Sequence, residues 1–172
     1  MKTGKIWIFG DNVDTDQLTP GRYMKSPLDE MACHCLEELN SEFARGVRPG
    51  DVLAGGKNFG MGSSREQAVQ VLTHLGVCAV IAISFGGIFQ RNAFNLGLLV
   101  LECPEAGRLA SGDLVRADPF KGIIFNETNG DTLTCAAVPD FLLNMLEDGG
   151  LVPHLEQKLK FGTANGTSIR GR

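Results

Sequence analysis

The sequence predicts an α/β fold with a mixed, partly parallel sheet flanked by helices, and three observations predict it. The middle third alternates apolar, β-branched runs with amphipathic stretches, in the order strand, helix, strand, helix, strand over about 50 residues, the pattern of parallel βαβ units with right-handed crossovers. The last third carries three short strand-like runs with a hairpin signal between two of them. The chain has 172 residues, 43% of them apolar and 21% charged. That suffices for one domain able to bury roughly 70% of its unfolded surface without a disulfide or metal.

The first predicted strand is Lys5 to Phe9. It runs into Gly10-Asp11-Asn12-Val13-Asp14-Thr15-Asp16-Gln17, a polar, acidic loop that Pro20-Gly21-Arg22-Tyr23 extends. Ser26 suits a helix cap and Pro27 the first helical position, so a modest helix is expected through Cys33-His34-Cys35. Arg48-Pro49-Gly50 is a turn before a short strand, Asp51 to Ala54. A glycine-rich segment follows, with Gly55, Gly56, Gly60 and Gly62. Ser64 to Leu75 reads as a helix with Ala68, Val71, Leu72 and Leu75 on one face. Ser63-x-x-Glu66 fits a capping box, and Gly76 fits the helix stop.

Val77 to Ile83 is a continuous apolar run, as for a strand buried on both faces. A second helix, about Gly87 to Asn95, ends at Gly97 before the strand Leu98 to Leu101. Asp113 to Ala117, Gly122 to Asn126 and Thr132 to Ala136 are the late strands, with Asn129-Gly130 as hairpin turn. Asp140 is placed as the cap of a helix closing at Gly149-Gly150, with a short helix over Pro153 to Lys160. The domain is expected over residues 1–161 and a mobile polar tail over 162–172.

A formal net charge of −4 argues against a nucleic-acid or membrane-surface partner, either of which calls for a basic stripe. No apolar run reaches the 18 residues of a membrane span. The N-terminal apolar stretch is too short for a signal peptide, so a cytoplasmic protein is expected. Five cysteines stand at 33, 35, 78, 103 and 135. None is spaced as in a zinc or iron–sulfur site, so this chain is expected to bind no metal. Cys78 and Cys103 read as small buried hydrophobes.

The 22 glycines are nearly double the usual ~7%. The four before the Ser63 helix resemble a phosphate loop, yet Met61 stands where a P-loop needs lysine. Arg65 likewise stands where a dinucleotide loop needs its third glycine. What remains is Gly62-Ser63-Ser64-Arg65-Glu66. Two readings stay open from these residues alone. Ser63 is a helix cap and Arg65 a solvated charge, or the stretch is an anion site in which Arg65 grips a carboxylate through paired hydrogen bonds.

Together, Asp14-Thr15-Asp16-Gln17, Gly55 through Ala68, Ala79-Val80-Ile81-Ala82 with Ser84-Phe85, Ile88-Phe89-Gln90-Arg91-Asn92 and Asp148-Gly149-Gly150-Leu151 resemble the small subunits of 3-isopropylmalate dehydratase. These are similar to the swivelling C-terminal domain of aconitase, and the resemblance covers about residues 4 to 160. It implies a swivelling β/β/α domain and a two-chain hydro-lyase whose larger subunit carries a [4Fe-4S] cluster. By the same resemblance Ser63 is the proton-abstracting base, Arg65 holds a substrate carboxylate with Ser64 and Gly62 beside it, and Asp16 joins the hydrogen-bond network. Lys25 belongs to the substrate-reading loop Tyr23-Met24-Lys25-Ser26, and Arg22 just before it, where the family varies after the proline, is placed with it at the substrate. Met24 suits the apolar branch of isopropylmalate, in leucine biosynthesis. Lys25 suits the third carboxylate of a homoaconitase substrate, and dimethylmalate and citraconate dehydratases share the scaffold. A non-catalytic anion-binding regulatory module is the reading from another class.

Overall fold

The parallel and antiparallel parts of the sheet are already distinguished by their side-chain pattern. The structure, a computed structural model, describes residues 3–164, with side chains through residue 160. Strands β1 (Gly4–Ile8), β2 (Val52–Gly55), β3 (Ala79–Ala82) and β4 (Leu99–Glu102) pair in parallel, while β5 (Leu114–Asp118), β6 (Ile123–Asn126) and β7 (Thr132–Thr134) continue antiparallel from β1. The seven strands form one sheet in the order β4-β3-β2-β1-β5-β6-β7. Every residue of β2 and β3 is buried, because helices cover the parallel part. In β5, β6 and β7 burial alternates with exposure, as expected where only one face meets the core.

Helices α1 (Thr15–Leu18), α2 (Leu28–Cys33) and α3 (Phe43–Gly46) fill the connection from β1 to β2. Helix α4 (Gln67–His74) links β2 to β3 and α5 (Gly87–Asn95) links β3 to β4. α4 packs against α1, α2 and α5, and buries Ala68, Val69, Val71 and Leu72. Helices α6 (Asp140–Glu147) and α7 (Leu151–Ala164) close the chain, with α6 packed on α5. Among the described residues no helix is long and apolar enough to cross a membrane.

Several local expectations are corrected. The acidic segment after β1 is not all loop. Asp14 accepts from the Gln17 N–H at 2.8 Å while the Gln17 side chain accepts from the Asp14 N–H at 3.0 Å, a capping box that starts α1. Pro27 rather than Ser26 holds the cap position of α2, and Pro139 rather than Asp140 that of α6; both cap without a side-chain bond. Asn129-Gly130 lies in a longer turn, closed by the Asn126 N–H to the Asp131 carbonyl at 2.8 Å. The Asn126 side chain accepts from Thr128 N–H inside that turn, which shapes it without a two-residue tip. The last helix begins before Pro153 and runs through Ala164. The tail expected from 162 lies outside the described residues from 165 onward.

Candidate functional site

Three loops leave the carboxyl ends of β1, β2 and β3, the usual ligand side of a parallel sheet, and they are stitched together by backbone. Asp14 bridges to Met61 and Phe59 bridges to Phe85. Thr15 N–H donates to the Met61 carbonyl at 2.9 Å, Gly60 N–H to Val13 at 2.7 Å, Phe59 N–H to Ser84 at 2.9 Å and Gly86 N–H to Phe59 at 2.8 Å. The Asn58 N–H adds a bond to Ser84 Oγ at 2.9 Å.

Two glycines are indispensable to this shape. Gly60 has φ +73°, and a Cβ there would stand 2.1 Å from Cγ of the buried Phe89 ring. Gly62 has φ +105° and directs the chain past Thr15, whose hydroxyl a Cβ would meet at 3.0 Å. Both lie in the left-handed region that side chains rarely adopt. Phe59, Phe85 and Phe89 pack as an aromatic cluster beneath, with Phe59 and Phe89 edge to face at 5.5 Å.

This geometry corrects the reading of Ser63 as a helix cap. α4 begins at Gln67, and no side chain caps it. Ser63 therefore stands ahead of the helix and does not cap it. Its partner is Thr15. The Ser63 N–H donates to Thr15 Oγ1 at 3.0 Å, and the two hydroxyl oxygens lie 3.0 Å apart. Since Thr15 Oγ1 already accepts from the Ser63 backbone, its own proton is free to be donated to Ser63 Oγ. Thr15 is 1% exposed and Ser63 half-buried, so the threonine end of this bond is held inside the protein.

Arg65 is ion-paired to Asp16 and reaches the Thr19 carbonyl at 3.4 Å. One Nη thus serves both contacts, leaving the rest of the guanidinium fork available. Next to it Thr19 is fully buried, and its Oγ1 has no hydrogen-bond partner among the described residues. Asn92, 7% exposed on α5, donates to the Ser64 carbonyl at 3.3 Å and fixes the loop from behind. The Ser64 side chain is exposed, as is Met61 at 41%.

Ser63, Arg65, Asp16 and Gly62 thus come together as expected, with Ser64 at their edge. Arg22 and Lys25 do not join them. The 3-10 turn Gly21–Tyr23 starts beside Asp16, since a Cβ on Gly21 would stand 3.8 Å from the Asp16 carboxylate. Arg22 then turns away into an ion pair with Glu37, and Lys25 is exposed. From the sequence Thr15 carries no assigned role and Asn92 reads only as a hydrogen-bonding group at a helix surface or sheet end, because the partners that define them lie 48 and 28 residues away.

The residues present do not form a metal or cluster site: no group of three or more His, Cys, Asp or Glu side chains converges among the described residues. Burial raises the Cys35 thiol far above its usual range, and Cys78 and Cys135 are each pushed up to about 11, chiefly by burial. Such thiols are poor ligands and poor nucleophiles.

Comparison with known proteins agrees with this fold. Residues 48–106 match the family model of the aconitase C-terminal domain. The chain is 41% identical over 163 residues to 3-isopropylmalate dehydratase small subunit 1 of Thermotoga maritima, covering 94% of this chain and 98% of the relative. It is 48% identical over 160 residues to the methanogen homoaconitase small subunit of Methanothermobacter thermautotrophicus, covering 92% and 93%. A crystal structure of 3-isopropylmalate dehydratase from Methanocaldococcus jannaschii superposes with a TM-score of 0.90 at 38% identity, covering 95% of this chain and 98% of that one. With a serine–threonine pair and an arginine–aspartate pair on loops of an aconitase-type swivelling domain, the chain belongs to the family of 3-isopropylmalate dehydratase small subunits.

Proposed function

We propose that this chain is the small subunit of a two-chain hydro-lyase that interconverts 2-isopropylmalate and 3-isopropylmalate by dehydration and rehydration, in leucine biosynthesis. It works in the cytoplasm, a compartment that suits five free cysteines. The observation that carries the reading is the hydrogen bond of Ser63 Oγ to Thr15 Oγ1 beside the Arg65–Asp16 pair.

Removing a weakly acidic proton next to a carboxylate needs a strong base in a fixed place. Ser63 takes the proton as an alkoxide, and Thr15 donates its hydroxyl proton toward that oxygen, stabilising the negative form. Arg65 binds one substrate carboxylate in two parallel hydrogen bonds, so that the acidic C–H faces Ser63. Asp16 keeps the guanidinium oriented before substrate arrives. Gly62 lets the carboxylate approach the backbone, and Ser64 lines the same edge. The larger partner subunit carries a [4Fe-4S] cluster, which supplies Lewis-acid polarisation of the departing hydroxyl. Met24, on the substrate-reading loop, meets the apolar branch of the substrate, with Arg22 just before the loop.

A second reading is favoured by Lys25, exposed on that loop and without a side-chain hydrogen bond or ion pair among the described residues. An ammonium there suits the third carboxylate of a homoaconitase-type tricarboxylate. Reconstitution with the large subunit and assay on isopropylmalate, homoaconitate, dimethylmalate and citraconate separates the two. In the same complex Ser63→Ala is expected to lower kcat by about 10²- to 10⁴-fold, the usual worth of a positioned base. Near-normal turnover in an intact complex would rule out Ser63 as the base.

A further inference from the structure

Cys33-His34-Cys35 stands apart in the sequence and takes no part in the chemistry above, yet its histidine makes some of the closest side-chain contacts in the molecule. The His34 ring lies flat on the Tyr23 ring, with centroids 3.7 Å apart and planes at 8°. Its Nδ1 is 2.6 Å from Glu37 Oε2. The other oxygen of Glu37 accepts from Arg22, and the Arg22 guanidinium lies 5.0 Å from the Tyr23 ring centre on its own account. Four side chains therefore close a circuit: Tyr23 is held by His34 and Arg22, and Glu37 holds both of these.

The turn that presents His34 and Glu37 is itself unusual. Leu36, fully buried, has φ +58°, a conformation costly for a residue with a branched side chain. Its N–H donates to the Gln17 carbonyl at 2.9 Å, at the end of the segment that bears Asp16. The strain is thus kept where it ties this turn to the catalytic face. The Glu37 carboxyl lies below the ordinary glutamate range, first because His34 hydrogen-bonds its charged form and also because Arg22 does.

We propose that His34 is a positioning residue: with Glu37 it clamps Tyr23 and Arg22, and through them sets the course of the 21–26 segment past the substrate's variable arm. The inference rests on the reading of that segment as the substrate-reading loop. His34 touches no reacting atom in this scheme. Its removal leaves the Ser63–Thr15 and Arg65–Asp16 pairs in place and loosens what stands across from them.

Tyr23 is the chain's single tyrosine, so one ring-labelled amino acid reports the clamp without ambiguity. In the full-length chain the Tyr23 ring protons are expected upfield of free tyrosine, shielded by the stacked imidazole. His34→Ala should return them toward the free position, and His34→Phe, which keeps a flat ring, should hold them upfield. In the complex with the large subunit, His34→Ala should raise KM about tenfold while kcat stays within about threefold, the split expected when contacts that bind substrate and transition state equally are lost. His34→Phe should recover most of the KM. A Tyr23 signal that ignores His34→Ala would overturn the clamp. So would a signal that moves while KM does not, or a loss confined to kcat. A wild-type complex inert toward every diacid would instead overturn the proposed activity, and the tyrosine signal would still decide whether His34 holds the loop.

Discussion

Two stretches of the molecule, residues 58–65 and residues 21–26, are held by different means. Residues 58–65 are fixed by backbone: paired bridges, left-handed glycines and a buried asparagine at Ser64. Residues 21–26 have one 3-10 turn and are held by side chains, through Tyr23, Arg22, His34 and Glu37. The first stretch therefore tolerates little change at Gly60, Gly62 or Asn92, and its shape is narrowly constrained. Side-chain restraint can be retuned one residue at a time. Under the proposed function, proton chemistry falls on the stretch fixed mainly by backbone and substrate choice on the one held by side chains.

The sharpest way to break the first stretch is Gly60→Ala. The added Cβ meets the Phe89 ring at 2.1 Å on a backbone of φ +73°. The cost is expected at about 2–4 kcal/mol from overpacking and left-handed strain together. Thermal unfolding should show it as a drop in Tm of about 10 °C, and a drop below 3 °C would mean that the loop yields more easily than its bridges indicate. Thr15→Val keeps the volume of a buried residue and removes only the hydroxyl. Turnover of the reconstituted complex should fall about 10²-fold, as for losing one donor to a developing anion, with KM little changed. Unaltered kcat would show that Ser63 needs no help from Thr15. Lys25→Ser tests the adjustable stretch and should have the smallest effect. An exposed ammonium is worth at most ~1 kcal/mol, so the preference for tricarboxylate over dicarboxylate in kcat/KM should fall by about fivefold or less.

The parallel strands were legible because burial on both faces leaves continuous apolar runs such as Val77 to Ile83, and α5 because Gly97 stops it cleanly. The glycine loop was legible as a site because four glycines ahead of a helix exceed what a cap requires. Ser63-x-x-Glu66 and Asp14-x-x-Gln17 both satisfy the local capping pattern, but only Asp14 stands at a helix start, since α4 begins at Gln67. α1 and α3 have four residues each, too few for helical periodicity to register. The stacking of Tyr23 on His34 joins side chains from two turns and leaves no periodic trace.

The two bridges, Asp14 to Met61 and Phe59 to Phe85, also bear on the order of events in folding. Each joins loops that leave different strands, so the first requires β1 and β2 in register and the second β2 and β3. Contacts of such sequence separation are closed late, after loop entropy has been overcome. The helices α4 and α5 can exist in a partly folded chain, but Ser63 acquires its threonine only when β1 docks. The serine–threonine pair therefore waits on the pairing of β1 with β2, and a chain that has not set that register lacks the pair.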